Sequence, residues 1–382
     1  MRIGILTFHR AINYGAYLQS YALAKAIMEQ MKDCNVEIID YDTKSAQHYY
    51  VKNIFKEGKK TGWKIGFQVR KYFSFKKNLK KLPLSNDSCF TDNFSYLINK
   101  INGKYDVIVA GSDQIWKLNG FRGFPNAYFL PGNLDGIKIS YAASSRSNLN
   151  EFDEDTVRKL NELILDFKYI GVRDHQTYKS LKGLNERINI HINCDPVFLY
   201  DFKNELIDPE MVLKKKYHFS KNKPIIGFMT HNEKVIELIN KKFGNDAVLI
   251  SLFIPHKLTK NCSSLSPFEF ASIFSGLDYF VTSYFHGLCF AIKNSIPFCA
   301  LEEKQGESLL TSKMRDLLEE VDLLDNYKRI DTEEYLDWII ANIEKEISNN
   351  EKKDNSRILN NLKETSISFF DTLKCINDDL QI

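Results

Sequence analysis

The sequence lacks any long hydrophobic run. Over its 382 residues no stretch approaches the ~18 apolar residues that a bilayer-spanning helix needs. The first residues, Met-Arg-Ile-Gly-Ile-Leu-Thr-Phe, have neither the apolar core nor the small-residue cleavage site of a secretion signal. The seven cysteines form no C-x-x-C pair, and an odd number does not suit a disulfide framework. These absences predict a cytoplasmic protein whose cysteines are mostly small buried side chains.

Common nucleotide-binding signatures are missing as well. Neither G-x-G-x-x-G nor G-x-x-x-x-G-K-[ST] occurs, which disfavours dinucleotide binding and P-loop ATP hydrolysis. A D-x-D at Asp40-Tyr41-Asp42 is a weak metal signal, so no metal site is predicted. The 43 % hydrophobic and 26 % charged residues are typical of a soluble globular chain, and the length suggests two domains.

Charge is almost balanced overall but is unevenly distributed. The 52 basic and 49 acidic residues give a net charge of +3, which argues against a protein that coats nucleic acid. Residues 52–81 hold eleven basic residues and one acid, interleaved with aromatic residues, so the other 352 residues carry −7. This basic segment is a solvated insertion with a partly amphipathic helix, a contact for anionic lipid or a lipid-linked substrate, or a nucleic-acid surface.

Short apolar runs alternate with stretches of helical spacing, and this alternation restarts near residues 196–220. The pattern predicts an α/β protein with two Rossmann-like domains facing each other across a cleft. The expected boundaries are 1–195, with a basic insertion at about 45–100, and then 196–345. From Ser308 onward the pattern is helical almost to the end, and the segment 346–382 is expected to pack back on the first domain.

Polar residues follow the first predicted strand, where a loop leads into a helix. Such loops line the ligand crevice of α/β sheets, and free helix N–H groups attract anions. Arg10, Asn13, Tyr14 and Gly15 are therefore candidate binding residues. Alternatively, Asn13 and Gly15 simply make the turn.

A second polar loop, Gly111-Ser112-Asp113-Gln114-Ile115-Trp116, directly follows another predicted strand. Asp113 is a candidate base, Gln114 a polar contact and Trp116 a platform for a sugar ring. The alternative is a turn-forming aspartate followed by a buried tryptophan.

The third candidate loop, Ser283-Tyr284-Phe285-His286-Gly287, joins a predicted strand to an apolar helix. His286 at a helix start is well placed to meet a phosphate or carboxylate, although it could be a core histidine. Arg173, at the end of another strand, could hold such an anion in a bidentate manner, or pair with Asp174 or a neighbour.

Together these segments resemble the polysaccharide pyruvyl transferase family. The matching signatures are GILTFHRAINYGAYLQSYAL at 4–23, YDVIVAGSDQIW at 105–116, KISYAASS at 138–145, GVRD at 171–174, CDPVFL at 194–199 and YFVTSYFHGLCFAIKNSIPF at 279–298. The resemblance implies a GT-B-like architecture with the site in the cleft. It also implies transfer of a pyruvyl group from phosphoenolpyruvate to two hydroxyls of one sugar, with release of phosphate and no metal or further cofactor.

By this resemblance His286 is the acid/base and Asp113 a second catalytic carboxylate. Arg173, Arg10, Ser283 and Gly287 are then donor-binding residues. The expected acceptor-binding residues are Asn13, Tyr14, Gly15, Gln114 and Trp116.

One departure from the family pattern concerns the residues before His286. Some members carry Arg-Leu there, and the Arg contacts the donor phosphate, whereas this sequence has Tyr284-Phe285. The contact then comes from another cation, with Arg173, Arg10 and His256 as candidates, or the donor differs.

Three functions stay open at this point. The first is a pyruvyl transferase acting on a surface polysaccharide or its lipid-linked precursor, peripheral on the inner face of the membrane through residues 52–81. The second is a glycosyltransferase that uses a nucleotide sugar on the same fold. The third is a non-catalytic glycan-binding member. Nucleic acid is not an expected partner.

Overall fold

The computed structural model describes residues 1–60, 62–120, 122–132, 134–145, 148, 151–217, 223–303, 312–330, 334–349 and 353–381. For residues 55–60, 215–217 and 303 it describes the backbone only. The side chains of Lys56, Lys59 and Lys60 in the basic segment therefore lie outside the described part.

The strands, in chain order, are β1 (Arg2–Leu6), β2 (Asn35–Ile38), β3 (Tyr41–Asp42), β4 (Cys89–Phe90), β5 (Val107–Asp113), β6 (Ile137–Ala143), β7 (Tyr169–Val172), β8 (Ile190–Ile192), β9 (Ile225–Met229), β10 (Val248–Ser251), β11 (Lys260–Asn261), β12 (Tyr279–Thr282), β13 (Phe298–Glu303) and β14 (Tyr327–Ile330). The helices are α1 (Tyr14–Gln30), α2 (Lys44–Lys60), α3 (Ile65–Asn78), α4 (Phe94–Ile101), α5 (Glu154–Leu165), α6 (His175–Leu184), α7 (Pro209–Tyr217), α8 (Glu233–Phe243), α9 (Pro267–Ile273), α10 (Phe285–Lys293), α11 (Lys313–Glu320), α12 (Glu334–Asn349), α13 (Ser356–Glu364) and α14 (Ile367–Asp379).

The chain divides into two compact units. Unit 1 comprises Met1–Asn53, Leu79–Asp201 and Asn360–Ile382, and unit 2 comprises Ile54–Asn78 and Phe202–Leu359. The middle of the basic insertion, Ile54–Asn78, thus belongs to unit 2, whereas the sequence pattern predicts that all of it belongs to the first domain. Of the segment 346–382, expected to pack back on the first domain, Asn360–Ile382 belongs to unit 1 and the part up to Leu359 belongs to unit 2. Both assignments depend on contacts between residues distant in sequence, which periodicity does not reveal.

Unit 1 contains a six-stranded sheet in the order β2-β1-β5-β6-β7-β8, with every neighbouring pair parallel. All four residues of β7 are buried, as expected for a parallel strand covered on both faces. The strand order reverses between β1 and β5. In such sheets this switch point, at the carboxyl ends of the strands, is where ligands bind.

Unit 2 repeats the plan with the order β11-β10-β9-β12-β13-β14, again parallel throughout. Its switch point lies between β9 and β12. Asn232 caps α8, which then turns Val235, Ile236 and Ile239 toward the core. The predicted α/β class with two parallel-sheet domains is confirmed.

One prediction about the C-terminal part is wrong. The sequence pattern predicts helix from Ser308 almost to the end, but β14 is a strand that pairs with β13 at the sheet edge. Residues 308–311 lie outside the described part. The strand has only four residues, and its pairing with β13, not its own apolar pattern, makes it a strand.

The cysteines and the apolar segments agree with what the sequence predicts. Five cysteines are buried, Cys34 is half-buried and Cys375 is exposed, and all seven are free thiols, which confirms that most are small core residues. None of the described helices is both long enough and apolar enough to cross a membrane.

Candidate functional site

The first polar loop leads into α1, and Asn13 forms the start of that helix. Its Oδ1 accepts hydrogen bonds from the backbone N–H of Gly15 at 2.9 Å and of Ala16 at 3.3 Å. Tyr14 and Gly15 are buried. Asn13 therefore has the turn-forming role that the sequence left open, and Tyr14 presents no surface to an acceptor in this structure.

Arg10 is paired with a carboxylate of unit 1. Its Nε and Nη2 donate to the two oxygens of Asp40, each at 2.6 Å. Asp40 also contacts His9 Nε2 at 3.0 Å and accepts from Ser88 Oγ at 2.6 Å. Burial disfavours the charged carboxylate, but the hydrogen bonds from these groups outweigh it and hold the pKa of Asp40 well below its usual range.

The second aspartate of the D-x-D pair is also bonded to an arginine. Asp42 accepts from Arg122 Nη2 at 3.4 Å and from Gln47 Nε2 at 2.6 Å. Arg122 lies over the ring of Phe8 at 4.1 Å. Within the described residues, no group of three or more His, Cys, Asp or Glu is arranged to hold a metal ion. Arg122 belongs to no local sequence motif, and only its contacts in the fold place it here.

The loop after β1 contacts the end of β5 and helix α1 at the switch point of unit 1. Thr7 Oγ1 donates to the carbonyl of Ser112 at 3.1 Å, and Gln19 Nε2 donates to Thr7 Oγ1 at 3.0 Å. Gly111 adopts a φ of 140°, where a Cβ would lie 2.0 Å from the carbonyl oxygen of Tyr141. Only glycine fits there, and the chain then presents Asp113 at the carboxyl end of β5.

Arg173 lies between two carboxylates of unit 1. Its Nη2 donates to Asp113 Oδ1 at 3.1 Å and its Nη1 to Asp195 Oδ2 at 2.8 Å. Burial disfavours the charged guanidinium, but these carboxylates outweigh it and raise the pKa of Arg173. Arg173 thus forms ion pairs with neighbouring carboxylates, Asp113 and Asp195. Asp174 has a different role, since it caps α6 by accepting from the backbone N–H of Thr177. Asp113 remains 15 % exposed, so Arg173 orients a carboxylate that a ligand can reach.

Trp116 is a core residue. Its ring is 1 % exposed, stacks on Phe129 at 6.1 Å, and donates through Nε1 to the carbonyl of Tyr128 at 3.1 Å. The structure therefore favours the alternative of a buried tryptophan over a sugar platform. Gln114 is only partly buried, and its backbone N–H donates to Asp113 Oδ1 at 2.9 Å.

The third polar loop lies at the switch point of unit 2. Ser283 Oγ is 2.8 Å from Thr230 Oγ1, which follows β9, and the hydroxyl of Tyr284 hydrogen-bonds His231 Nε2. His231 was not among the predicted site residues, because a lone histidine after a strand carries no sequence signal. Two neighbouring strands thus contribute polar side chains to one place.

His286 occupies the first turn of α10 and is 9 % exposed. The N-cap residue, Tyr284, makes no side-chain cap hydrogen bond, and the start of a helix favours negative charge. Gly287 allows the close packing here, since a Cβ would lie 2.7 Å from Thr282 Oγ1. Ser283, His286 and Gly287 thus lie together where β12 leads into α10, and their roles in binding and catalysis stay predictions.

Comparison with known proteins identifies the family. The polysaccharide pyruvyl transferase family matches residues 13–305, which is more than half of the chain. The chain belongs to this family. Asp113, Arg173, Ser283, His286 and Gly287 all lie within the matched region, and Arg10 precedes it. No curated protein matches the sequence significantly.

The polysaccharide pyruvyl transferase chain is similar in fold to several proteins that act on or are bound to a sugar nucleotide. UDP-GlcNAc 2-epimerase from Neisseria meningitidis, bound to UDP-GlcNAc, aligns with a TM-score of 0.56 at 12 % identity, covering 98 % of this chain and 99 % of that one. The corresponding enzyme from Methanocaldococcus jannaschii has a TM-score of 0.55 at 13 % identity, covering 93 % and 94 %. An Anabaena protein in complex with UDP-glucose has a TM-score of 0.52 at 11 % identity, covering 100 % and 99 %. At such identities the likeness concerns the fold alone, which is of the GT-B type.

Proposed function

We propose that this family member transfers the pyruvyl group of phosphoenolpyruvate to two hydroxyls of one sugar in a surface polysaccharide or its lipid-linked precursor. The observation that carries the proposal is the position of His286 in the first turn of α10, at the switch point of unit 2. Membership of the family supports the same conclusion.

The reaction requires one proton donor and one charge-binding site. The methylene carbon of phosphoenolpyruvate gains a proton and becomes a methyl group, while C2 forms bonds to two sugar oxygens and loses its bond to the phosphate oxygen. Of the two protons lost by the sugar hydroxyls, one accounts for the proton gained by the methyl group, and the other leaves on the released phosphate. We assign the proton transfer to His286, and phosphate binding to the first turn of α10 with Ser283 and Gly287.

The carboxylate of Asp113 is the proposed acceptor of a sugar hydroxyl proton. Arg173 is then a positioning residue for Asp113 instead of a donor-binding cation, because its guanidinium nitrogens already contact Asp113 and Asp195. Arg10 is similarly engaged with Asp40. The donor-binding role predicted for these two arginines is therefore not part of our proposal.

The test measures phosphate released from phosphoenolpyruvate with and without a glycan acceptor. We expect release only with acceptor, and a reduction of about 10²- to 10⁴-fold in His286→Gln, the range typical of a lost general acid. His48→Gln, at an exposed histidine, is the matched control and should keep full activity. Undiminished release in a folded His286→Gln protein would remove His286 from the mechanism.

Binding and thermal-stability measurements with each donor separate the alternative functions. Several structural neighbours carry UDP or a UDP sugar, so a nucleotide sugar is the alternative donor. Thermal stabilisation by UDP and none by phosphoenolpyruvate would favour a glycosyltransferase. Glycan binding without turnover of either donor would favour a non-catalytic member.

We also propose that the outer face of α3 contacts anionic lipid on the cytoplasmic side of the membrane, where a lipid-linked acceptor would lie. Arg70, Phe73, Lys76 and Lys77 on this helix are exposed, and Phe73 is 63 % exposed. Lysines near a charged membrane contribute roughly 1 kcal/mol each, so Lys76→Gln with Lys77→Gln should weaken vesicle binding about 30-fold.

Vesicle sedimentation checks this contact. Binding should require anionic lipid and fall with added salt, and Lys345→Gln with Lys363→Gln, both exposed elsewhere, should leave it unchanged. Equal binding to neutral vesicles would contradict the proposal.

A further inference from the structure

Unit 1 carries an exposed aromatic side chain that a charged neighbour holds in place. Phe90 lies in the short strand β4 and is 40 % exposed. Cys89, the residue before it, is buried, so the two side chains point to opposite faces of the strand. The guanidinium of Arg10 lies over the Phe90 ring, 4.7 Å from its centroid. Phe90 thus presents an open aromatic surface beside the polar loop that follows β1.

The arginine that contacts this ring is itself fixed. Arg10 donates from Nε and Nη2 to the two oxygens of Asp40, each at 2.6 Å. Asp40 in turn contacts His9 and accepts from Ser88. The bonds to Asp40 do not involve Nη1 of Arg10, and the arginine side chain is 14 % exposed. A guanidinium held in this way orders the ring beside it before a ligand arrives, which reduces the entropy lost on binding.

Phe90 is connected to the carboxylate that the proposed reaction uses. It pairs with Asp42 of β3, in the stretch of chain that continues beyond the carboxyl end of β2. Arg122 donates to Asp42 Oδ1 at 3.4 Å and to the hydroxyl of Tyr50 at 3.1 Å. Burial raises the pKa of Tyr50 to about 12, and the negative charge of Asp113 contributes to the rise. Asp113 therefore lies within electrostatic reach of Tyr50, and all five residues belong to unit 1.

An open aromatic ring with polar groups at its rim suits a sugar. The C–H groups on one face of a pyranose are apolar and pack on an aromatic ring, while the sugar hydroxyls need hydrogen-bond partners around it. A phosphate suits this surface less, because the face of an aromatic ring carries partial negative charge. The family to which the chain belongs acts on polysaccharides, so the acceptor brings further sugars to unit 1 besides the reacting one.

We propose that Phe90 is the platform on which a second sugar of the acceptor glycan packs, along the glycan from the sugar whose hydroxyls face Asp113. Nη1 of Arg10 is the proposed donor to a hydroxyl of that second sugar. The proposal rests on the proposed function for the position of the reacting sugar. It gives unit 1 the sugar platform that the buried Trp116 does not supply, and it makes an oligosaccharide a better acceptor than a single sugar.

The first experiment measures oligosaccharide binding by calorimetry. The probe is the surface polysaccharide of the source organism, freed of pyruvate and cut into short oligosaccharides. Phe90→Ala should weaken binding at least about fivefold, and Phe90→Trp, which keeps an aromatic ring, should remain within about threefold of the wild type. Tyr96→Ala is the matched control, at an aromatic residue of unit 1 that is 59 % exposed, and its affinity should not change.

Turnover provides the second measurement. With phosphoenolpyruvate as donor, Phe90→Ala should raise KM for the oligosaccharide at least about fivefold, while KM for phosphoenolpyruvate and kcat at saturating oligosaccharide stay at the wild-type values. This split follows because Phe90 contacts a sugar that does not react. If Phe90→Ala does not fold, Phe90→Leu, which keeps apolar bulk without a ring, takes its place and should show the same loss.

An exposed phenylalanine without a binding role predicts something different. Phe90→Ala would then bind the oligosaccharides with wild-type affinity, or lose no more affinity than Tyr96→Ala, and either result would overturn the proposal. Wild-type protein that binds the oligosaccharides no better than their component monosaccharides would overturn it as well.

The two proposals can fail separately. Oligosaccharide binding that depends on Phe90, without turnover of phosphoenolpyruvate, would refute the proposed reaction but not this site. Turnover in Phe90→Ala with a wild-type KM for the oligosaccharide would refute this site but not the reaction.

Discussion

Among single residues, Arg173 shows how burial determines the role of a charged side chain. A guanidinium at the end of a strand suits anion binding, but here it is 1 % exposed and pairs with Asp113 and Asp195. Its strand register places it beside both carboxylates. Arg173 therefore fixes the orientation of Asp113, which is the more exposed of its two carboxylate partners.

We expect Arg173→Met to destabilise the protein by about 3–5 kcal/mol, because it leaves buried carboxylates without their counter-charge. Chemical denaturation provides the measurement. Arg158→Met removes an exposed ion pair with Asp155 and should cost at most about 1 kcal/mol. Similar losses of unfolding free energy in the two variants would show that the buried ion pairs of Arg173 do not stabilise the protein.

Asp40 provides a prediction about pH. Its pKa is lowered in the folded state, so its ionised form contributes stability that is fully present above the unfolded-state pKa of ~3.9 and decreases as pH falls toward the folded value. Asp40→Asn should therefore lower the free energy of unfolding at pH 7. The difference from the wild type should narrow below about pH 4, whereas a difference that stays constant down to pH 3 would contradict this account.

At the scale of elements, the start of α10 depends on close packing at one glycine. A Cβ on Gly287 would lie 2.7 Å from Thr282 Oγ1 and 3.0 Å from Met229 Sδ. Both are parts of the switch-point strands, so the loop that carries His286 would have to move. The packing of this helix outweighs the ordinary preference of helices for alanine.

Gly287→Ala should therefore lower stability by about 1–3 kcal/mol, as overpacking does. Gly183→Ala, in α6, is the control, because a Cβ there has nothing within 4 Å. That change should instead stabilise the protein by about 0.5–1 kcal/mol. Thermal unfolding of the two variants, measured side by side, checks the opposite signs, and a stabilised Gly287→Ala protein would contradict the packing argument.

At the scale of the whole molecule, the two ends of the chain contribute to the same unit. Residues Asn360–Ile382 belong to unit 1 together with β1. Phe369 of α14 is fully buried, with its ring 4.6 Å from that of Tyr141 and 5.8 Å from that of Tyr169. The hydroxyl of Tyr141 bonds Ser366 at 2.8 Å. The sheet of unit 1 is therefore covered in part by the last helix of the chain.

Phe369→Ala should cost about 3–5 kcal/mol, since it leaves a cavity over β6 and β7. Ile367→Ala, at a residue 54 % exposed on the same helix, should change stability by only about 0.5 kcal/mol. The two free energies of unfolding from urea denaturation test this. Equal effects would mean that α14 contributes no core to unit 1.

Local sequence by itself determined the class of fold and most of the candidate loops. Apolar runs such as Ile225–Met229 are strands wherever they are buried on both faces, and polar residues after them must lie at the carboxyl edge of a parallel sheet. Asp113, Ser283 and His286 are predicted as candidate site residues on this ground.

Only the tertiary structure decided which polar side chains are already engaged. In the folded chain Arg173 pairs with Asp113 and Asp195, Arg10 forms an ion pair with Asp40, and Trp116 lies in the core. The fold also makes Tyr327–Ile330 an edge strand and places Phe90 beside Arg10. Each of these outcomes depends on contacts between residues far apart in the chain, and the spacing of residues within one segment carries no information about such contacts.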